Sequence, residues 1–414
     1  MLFRSETPAR LRRWAWSAAL TSVALLVSLS LLTATVREQV RVIGDVAVPR
    51  AATAAELYFA LSDLDAQVAR MVLSAGDDAL AGSRIDALGT YDERGRQIDE
   101  DLQRLVATAD AGAGRDTALR LLHGLAVYRQ WVWQALTAGP ATGALGYYTQ
   151  ATNVLHLQLL PAAQELRDAA EDRLAETYAA KQRTTVLTVI AAAVLGAALL
   201  VLLVGLQVFL ARRFRRVVNP ALAAATLLVA ALLTATGVVL DAQERRLENA
   251  RGESLLPYLA LARARAVSYD AAADTGRFLL SADRGHYRDD FTRKAGPLTD
   301  GRGLTGIPGS GEAAMRWLAY RRVHERIVAL ADSGRREEAV AAYTGIRRGE
   351  AAFDFYAYDV AISRAADERK RTFDVALRDT TTLLRGWAVA PVAVPGLVIL
   401  LVAAGVRRRL AEYR

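Results

Sequence analysis

The chain contains no cysteine among its 414 residues. This absence excludes disulfide bonds, cysteine-ligated zinc, iron–sulfur clusters and thiol catalysis. Histidine is also scarce, and no histidine has a second histidine or a carboxylate at the spacing of a metal site. The four histidines are His123, His156, His286 and His324. We therefore expect no resident metal and no cofactor.

Motifs that carry enzymatic chemistry are missing as well. The sequence has no nucleophile elbow, phosphate-binding loop, Rossmann glycine pattern or kinase signature. It also lacks alternating β-branched segments joined by Asn-Gly or Asp-Gly turns, whereas Ala, Leu, Arg, Glu and Asp dominate. The composition predicts an all-α protein that is not an enzyme.

Charge is absent from four long stretches of the chain. Each is about 21 to 28 residues long, contains no Asp, Glu, Lys, Arg or His, and is apolar enough to cross a bilayer as a helix. Because transporters usually place ionisable groups at membrane depth, these plain spans argue against a transport pathway. The sequence thus predicts four transmembrane helices.

Arginine placement predicts the topology. Short Arg-rich segments stay in the cytoplasm, and they precede the first span, separate the second from the third, and follow the fourth. We therefore expect a multi-pass protein of the bacterial plasma membrane with both termini in the cytoplasm. These segments hold more positive charge than the net +8 of the whole chain, so no large basic surface remains for nucleic acid.

The arginines of these segments have two readings that stay open. They set the topology and attract membrane lipid headgroups, or they also dock an acidic cytoplasmic partner. The candidate docking residues are Arg212, Arg213, Arg215, Arg216, Arg407, Arg408 and Arg409.

The predicted domain order follows from spans and charges. It comprises a cytoplasmic N-terminus, a first span, a first extracytoplasmic bundle, a second span, a cytoplasmic loop, a third span, a second extracytoplasmic bundle, a fourth span and a cytoplasmic C-terminus. The cytoplasmic segments are 1–13, 212–216 and 407–414, the four spans are 14–36, 184–211, 217–240 and 386–406, and the two bundles are 37–183 and 241–385.

Helix breakers divide each large segment into about four helices, which is typical of an up-down-up-down bundle. In the first segment we expect helices near 50–75, 82–109, 115–138 and 141–183. In the second, the breaks are expected at 282–285, 296–311 and 333–334.

The two large segments also look like a tandem repeat. Met71-Val72-Leu73-Ser74-Ala75 resembles Phe278-Leu279-Leu280-Ser281-Ala282, and Tyr148-Thr149 pairs with Tyr343-Thr344 at an offset of 195 residues. Since the segments have nearly equal lengths, we expect a duplication with parallel repeats.

Five charged residues are candidates for a switch or a partner contact. They lie within predicted helices of the two segments and are Asp63, Asp65, Asp270, Asp274 and Arg277. One reading is a solvated face with a weak salt bridge, since Arg277 follows Asp274 by three residues. The other is a polar switch inside a bundle, or a contact for a ligand or partner.

Two prolines lie in the fourth span. Each removes a backbone hydrogen bond from a helix. Pro391 and Pro395 therefore mark either a tolerated kink or late helix start, or a hinge that lets the second bundle move its membrane helix.

The residues of the first and second segments carry a family resemblance. The stretches Leu57–Ala69 (LYFALSDLDAQVA) and Ser268–Leu280 (SYDAAADTGRFLL) resemble a signature of the GlnX-type membrane transducers of actinobacteria. The bundle between two spans also resembles the sensing half of bacterial chemoreceptors, although no HAMP linker, signalling coiled coil or kinase follows it. The GlnX resemblance implies two partners: an amino-acid-loaded solute-binding lipoprotein of the Glu/Asp type outside, and a cytoplasmic Ser/Thr protein kinase inside.

The leading hypothesis is therefore a membrane signal transducer that relays the state of such a lipoprotein to such a kinase. Two alternatives stay open. One is direct sensing of a small molecule inside a bundle or at the interface of a homodimer. The other is a structural scaffold or accessory membrane subunit without a signalling role.

Overall fold

The computed structural model describes residues 6–108, 113–138, 143–214, 219–300, 303–387 and 389–410, and these are almost entirely helical, with no β-strand among them. The α-helices are α1 (Glu6–Val42), α2 (Val48–Leu73), α3 (Ala81–Thr108), α4 (Ala113–Thr137), α5 (Gly143–Val154), α6 (Leu160–Phe214), α7 (Pro220–Ala250), α8 (Leu256–Leu280), α9 (Arg284–Thr299), α10 (Gly311–Asp332), α11 (Arg336–Thr344), α12 (Ala351–Trp387) and α13 (Ala390–Leu410). The all-α prediction is confirmed.

The chain divides into two compact units. The span unit comprises Met1–Asp45, Ala175–Ala250 and Asp374–Arg414. The helical body comprises Val46–Leu174 and Arg251–Phe373. The two segments predicted as separate bundles are thus not resolved as separate bodies, because both contribute to the same compact unit.

The span unit holds the apolar helices. Three continuous helical runs, Arg12–Leu73, Gly143–Ala211 and Pro220–Leu280, contain windows long and apolar enough to cross a membrane, and a shorter apolar helix spans Ala390–Gly405. Side chains from α1, α6, α7 and α13 form one apolar core. These features indicate a membrane protein.

The fourth apolar segment forms a helix of its own, α13, which is separate from α12. Helix α12 ends at Trp387 and α13 begins at Ala390. Pro391 therefore lies in the first turn of α13, where its missing N–H costs no helical hydrogen bond, while Pro395 lies inside the helix. This geometry accords with a late helix start at Pro391, and the hinge stays a prediction.

Two central helices, α2 and α8, organise the helical body. They pack along each other, and every residue from Phe59 to Asp65 and from Ser268 to Leu280 is buried. Much of this surface is alanine, serine or glycine, which allows helices to approach closely. The two helices are therefore buried on most sides, whereas an amphipathic helix would bury a single stripe.

Most helix ends lie close to the predicted breakers. One break was not predicted: the counterpart of the long helix α5–α6 in the second half is divided, because residues 345–350 separate α11 from α12. Gly349 there has a φ of 84°, in the left-handed region that favours glycine. The last helix of the second half is therefore shorter than its counterpart in the first half.

Three π-helical turns interrupt the long helices at equivalent local positions. They span Ile43–Ala47, Leu155–Leu159 and Arg251–Leu255, and each ends two residues before a proline, namely Pro49, Pro161 and Pro257. A proline ring clashes with the carbonyl four residues earlier, and widening the preceding turn relieves that clash. The hydrogen-bond pattern changes locally at each turn, but the helix continues. Helix α2 is therefore the continuation of α1, and α8 is the continuation of α7.

Candidate functional site

A buried ionic cluster joins the two central helices. The Nε atom of Arg277 on α8 donates to Oδ2 of Asp65 on α2 over 2.9 Å. The Nη1 atom of Arg277 donates to Asp274 over 2.6 Å and to Asp270 over 3.2 Å. The side chains of Asp65 and Asp274 are fully buried and that of Arg277 is 1% exposed. One guanidinium group thus links carboxylates from both halves of the chain.

Helix α9 adds a second cation to this cluster. The Nζ atom of Lys294 lies 2.9 Å from Asp270 Oδ2 and 2.7 Å from Asp274 Oδ2. Asp270, Asp274 and Arg277 follow one another at spacings of four and three residues, so they share one face of α8. We call Asp65, Asp270, Asp274, Arg277 and Lys294 the central cluster.

The central cluster contains three carboxylates and two cations, and this imbalance is reflected in its pKa values. Burial raises the pKa of Asp270, but Lys294 and Arg277 outweigh burial and bring that pKa down to about 2. For Asp274 burial prevails over the same two cations, and the neighbouring charge of Asp270 adds to it, so its pKa is raised. Asp274 therefore takes a proton more readily than Asp270.

The first half of the chain completes the surroundings of Asp65. Its Oδ1 atom accepts hydrogen bonds from Tyr128 of α4 over 3.3 Å and from Thr152 of α5 over 3.4 Å. One buried polar atom of the cluster, Nη2 of Arg277, finds no hydrogen-bond partner among the described residues. The central cluster thus retains unused hydrogen-bonding capacity.

Asp63 belongs to a separate ion pair. Its carboxylate accepts from Nε of Arg94 on α3 over 2.6 Å and from Gln67 over 2.6 Å. In sequence, Asp63, Gln67 and Arg70 have the same spacing as Asp270, Asp274 and Arg277, and in both halves the next helix supplies a cation. This correspondence supports the tandem repeat, which stays a prediction.

All five candidate switch residues are therefore inside the helical body. The reading as a solvated face with a weak salt bridge does not hold, because none of the five side chains is more than 7% exposed. Direct contact between these side chains and a docking protein is also excluded in this conformation. The polar switch stays a prediction, and so does a ligand contact at Asp63, which lines the cleft described below.

Two neighbours of the central cluster, Thr275 and Gly276, were not among the predicted site residues. Thr275 bonds to the Tyr320 hydroxyl over 3.1 Å and to Nδ1 of His324 over 2.9 Å. Burial, together with Arg288 and Arg321, lowers the pKa of His324 to about 3, so this histidine is neutral. Gly276 lies against Ala69 and Tyr343, where a side chain would not fit. A glycine inside a helix was the available signal for this close approach.

A cleft of about 430 Å³ opens beside the central helices. Its walls come from α2, α3 and the segment around the start of α12, and its lining includes Arg70, Arg94, Glu93, Tyr269 and Phe355. This volume lies in the range of small-molecule sites. Among the described residues, no group of His, Asp and Glu is arranged to hold a metal ion.

The cytoplasmic arginine predictions remain open. Arg215 and Arg216 lie outside the described residues. Arg212 and Arg213 fall in the last turn of α6, and Arg407–Arg409 in the last turns of α13. Basic residues suit helix C-termini, where they complement the helix dipole. Their docking role stays a prediction.

Comparison with known proteins gives one family match. Residues 39–179 match the family described as the actinobacterial sensor domain. No curated protein and no solved structure matches the chain. The matched residues include Asp63 and Asp65 and cover the first-half contribution to the helical body. The chain is thus similar to an actinobacterial sensor domain over its first large segment, and this similarity indicates a role in sensing.

Proposed function

We propose that the chain is a membrane signal transducer with four transmembrane helices and both termini in the cytoplasm. In this proposal the helical body faces the exterior and docks a solute-binding lipoprotein loaded with an amino acid of the Glu/Asp type, and the Arg-rich cytoplasmic edges pass the signal to a Ser/Thr protein kinase. The sensor-domain match supports sensing. The apolar core shared by α1, α6, α7 and α13 supports the four spans.

The observation that supports the proposed relay of a signal is the continuity of two long helices. The central helices α2 and α8, which hold the cluster, are the direct continuations of the apolar helices α1 and α7. A change in how α2 pairs with α8 therefore changes the register or tilt of α1 and α7. Helix shifts of about 1–2 Å are sufficient for such transitions.

The central cluster has the properties of a two-state element. Arg277 contacts three carboxylates, and one of its nitrogens has no partner among the residues that the structure describes. Lys294 shares two of these carboxylates. In this proposal the cluster changes its pairing, with the unpartnered nitrogen of Arg277 taking up a carboxylate. A docking protein that prefers one pairing would shift the population toward it.

Native-membrane crosslinking tests the proposal. Tagged full-length protein is crosslinked in cells with and without the candidate amino acid, and partners on both sides are identified by mass spectrometry. We expect a solute-binding lipoprotein whose recovery depends on the amino acid, together with a Ser/Thr kinase. Recovery that is equal or absent in both states would contradict docking.

Substitutions separate docking from topology on the cytoplasmic side. Replacing Arg407, Arg408 and Arg409 by Lys keeps the positive charge that sets topology but removes the bidentate guanidinium groups, whereas replacing them by Gln removes both. We expect kinase recovery to fall with Gln and to fall less with Lys, while external labelling of the helical body stays unchanged. Unaltered kinase recovery with the Gln triple variant would favour the scaffold alternative.

A further inference from the structure

The cleft beside the central helices carries an inference about what the helical body binds. At one end lies Arg70, whose guanidinium group is held in place by Gln67 at 3.0 Å, Ser83 at 3.3 Å and Asp86 at 3.2 Å. The Nε atom of Arg70 is buried and has no hydrogen-bond partner among the described residues. Arg70 lines the cleft with a side chain that is 11% exposed, and a guanidinium group held in a fixed orientation is suited to binding a ligand carboxylate there.

Helix α3 contributes negative charge to the cleft. Glu93 and Asp86 are seven residues apart, so they lie on the same face of this helix, and both line the cleft and are solvent-exposed. Glu93 takes part in none of the ion pairs of the described residues. A carboxylate in this position is suited to an ammonium group.

The floor of the cleft is aromatic. The Phe355 ring meets Tyr269 edge-on with centroids 4.6 Å apart, and it meets Tyr320 at 5.0 Å. Ser83 of α3 donates to the carbonyl oxygen of Thr344 over 3.1 Å and so connects α3 to the C-terminal end of α11. This floor offers contact to an apolar or aromatic side chain.

The charges of the residues that line the cleft disfavour ligands of high net charge. Four carboxylates line the cleft, of which Asp63, Asp86 and Asp359 pair with Arg94, Arg70 and Arg265. Glu93 is left as the unpaired charge among the described lining residues, and this net negative charge would repel a dianion. Because Arg70 and Arg94 hold Asp86 and Asp63 in these pairs, Glu93 is left to attract a single positive charge, whereas a polyamine carries several. A ligand with one charge of each sign and no net charge avoids both penalties.

We propose that this cleft binds a free neutral amino acid as its zwitterion, with the carboxylate at Arg70, the ammonium group at Glu93 and a large apolar side chain on the floor formed by Phe355 and Tyr269. This inference rests on the proposed sensor role and adds a second, direct input to it. Because the cleft is lined by both halves of the chain, an occupant bridges α2, α3, α8 and α12. Binding would therefore favour one pairing of the two central helices.

Binding to purified full-length protein in detergent tests the proposal. The probes are L-phenylalanine, L-leucine and L-glutamate, with hydrocinnamate and phenethylamine as analogues that lack the ammonium group or the carboxylate. Calorimetry and thermal-shift measurements are expected to show binding of phenylalanine or leucine, and affinity at least about 10-fold weaker for glutamate and both analogues, the factor that 1.4 kcal/mol represents.

Variants locate the site. Glu93→Gln and Arg70→Lys are expected to weaken amino-acid binding by about 10-fold or more, because each removes one charge-assisted contact. Asp92→Asn is the matched control, since Asp92 is an exposed carboxylate next to Glu93 that does not line the cleft. The melting temperature without ligand verifies that each variant is folded.

Three results would overturn the inference: no neutral amino acid binds, hydrocinnamate binds as well as phenylalanine, or neither Glu93→Gln nor Arg70→Lys weakens binding. The crosslinking experiment on the lipoprotein separates this failure from failure of the proposed function. Retained lipoprotein recruitment without amino-acid binding rejects only the cleft, whereas amino-acid binding without recruitment rejects only the lipoprotein relay.

Discussion

Replacing Arg277 by Met lowers the free energy of unfolding of the helical body by about 3–5 kcal/mol, the range found when one partner of a buried ion pair is removed. The variant leaves Asp65, Asp270 and Asp274 buried without the guanidinium group that joins them, while Lys294 still pairs with Asp270 and Asp274. Total stabilities are commonly about 5–15 kcal/mol, so this loss is severe. Chemical denaturation of the purified protein, followed by the circular dichroism of its helices, measures it.

An exposed ion pair provides the control. Arg120 and Glu165 lie 2.9 Å apart with side chains more than half exposed, and Arg120→Met is expected to cost no more than about 1 kcal/mol. If Arg277→Met does not fold, Arg277→Lys is measured, because it keeps the charge and loses the fork of donors. Equal losses for the variants at positions 277 and 120 would show that the central cluster does not hold the body together.

Replacing Gly276 by Val destabilises the helical body by about 3 kcal/mol, at the upper end of the cost of overpacking. A Cβ atom at this position would lie 2.9 Å from Cβ of Ala69 and would collide with the buried hydroxyl of Tyr343. Since Ala69 has no longer side chain to rotate away, α2 and α8 must move apart. Thermal unfolding monitored by circular dichroism measures the effect.

Gly89 is the matched position for this substitution. It also lies inside a helix, α3, but nothing is within 4 Å of a Cβ placed there. Gly89→Val is expected to change stability by less than about 0.5 kcal/mol, because an exposed helical site differs only in propensity. If Gly276→Val proved as mild as Gly89→Val, the close contact of α2 with α8 would be refuted.

Local features of the fold could be predicted from the sequence. The apolar segments, the helical character and most helix ends follow from composition and from breakers such as Gly334, which has a φ of 79°. These signals act over a few residues and need no knowledge of the partner helices. The unpredicted break at residues 345–350 also contains such signals, namely Gly345 and Gly349.

The candidate site could be predicted only in part. The spacing of Asp270, Asp274 and Arg277 pointed to a shared face, yet their burial depends on α2, and Asp65 is 212 residues from Arg277 in the chain. The run of alanines around these residues was the missed signal, since small side chains permit burial on several sides. The cleft was not predictable, because six separate helices and a connecting segment contribute to it.

The central claim is that the two halves of the chain form one body through α2 and α8. The absence of native cysteine allows a direct test with Glu171→Cys and Arg263→Cys, because Arg263 Nη2 on α8 lies 2.5 Å from Glu171 Oε2 on α6. The double variant, with a protease site introduced between residues 212 and 216, is treated in membranes with a short bifunctional maleimide and then cleaved. The single variant Arg263→Cys is the control.

We predict that the crosslinked double variant still migrates at the mass of the intact chain on a denaturing gel after cleavage, while the control separates into two fragments. Release of both fragments from the double variant, or a linked product of twice the chain mass before cleavage, would contradict a single body built from the two halves of one chain.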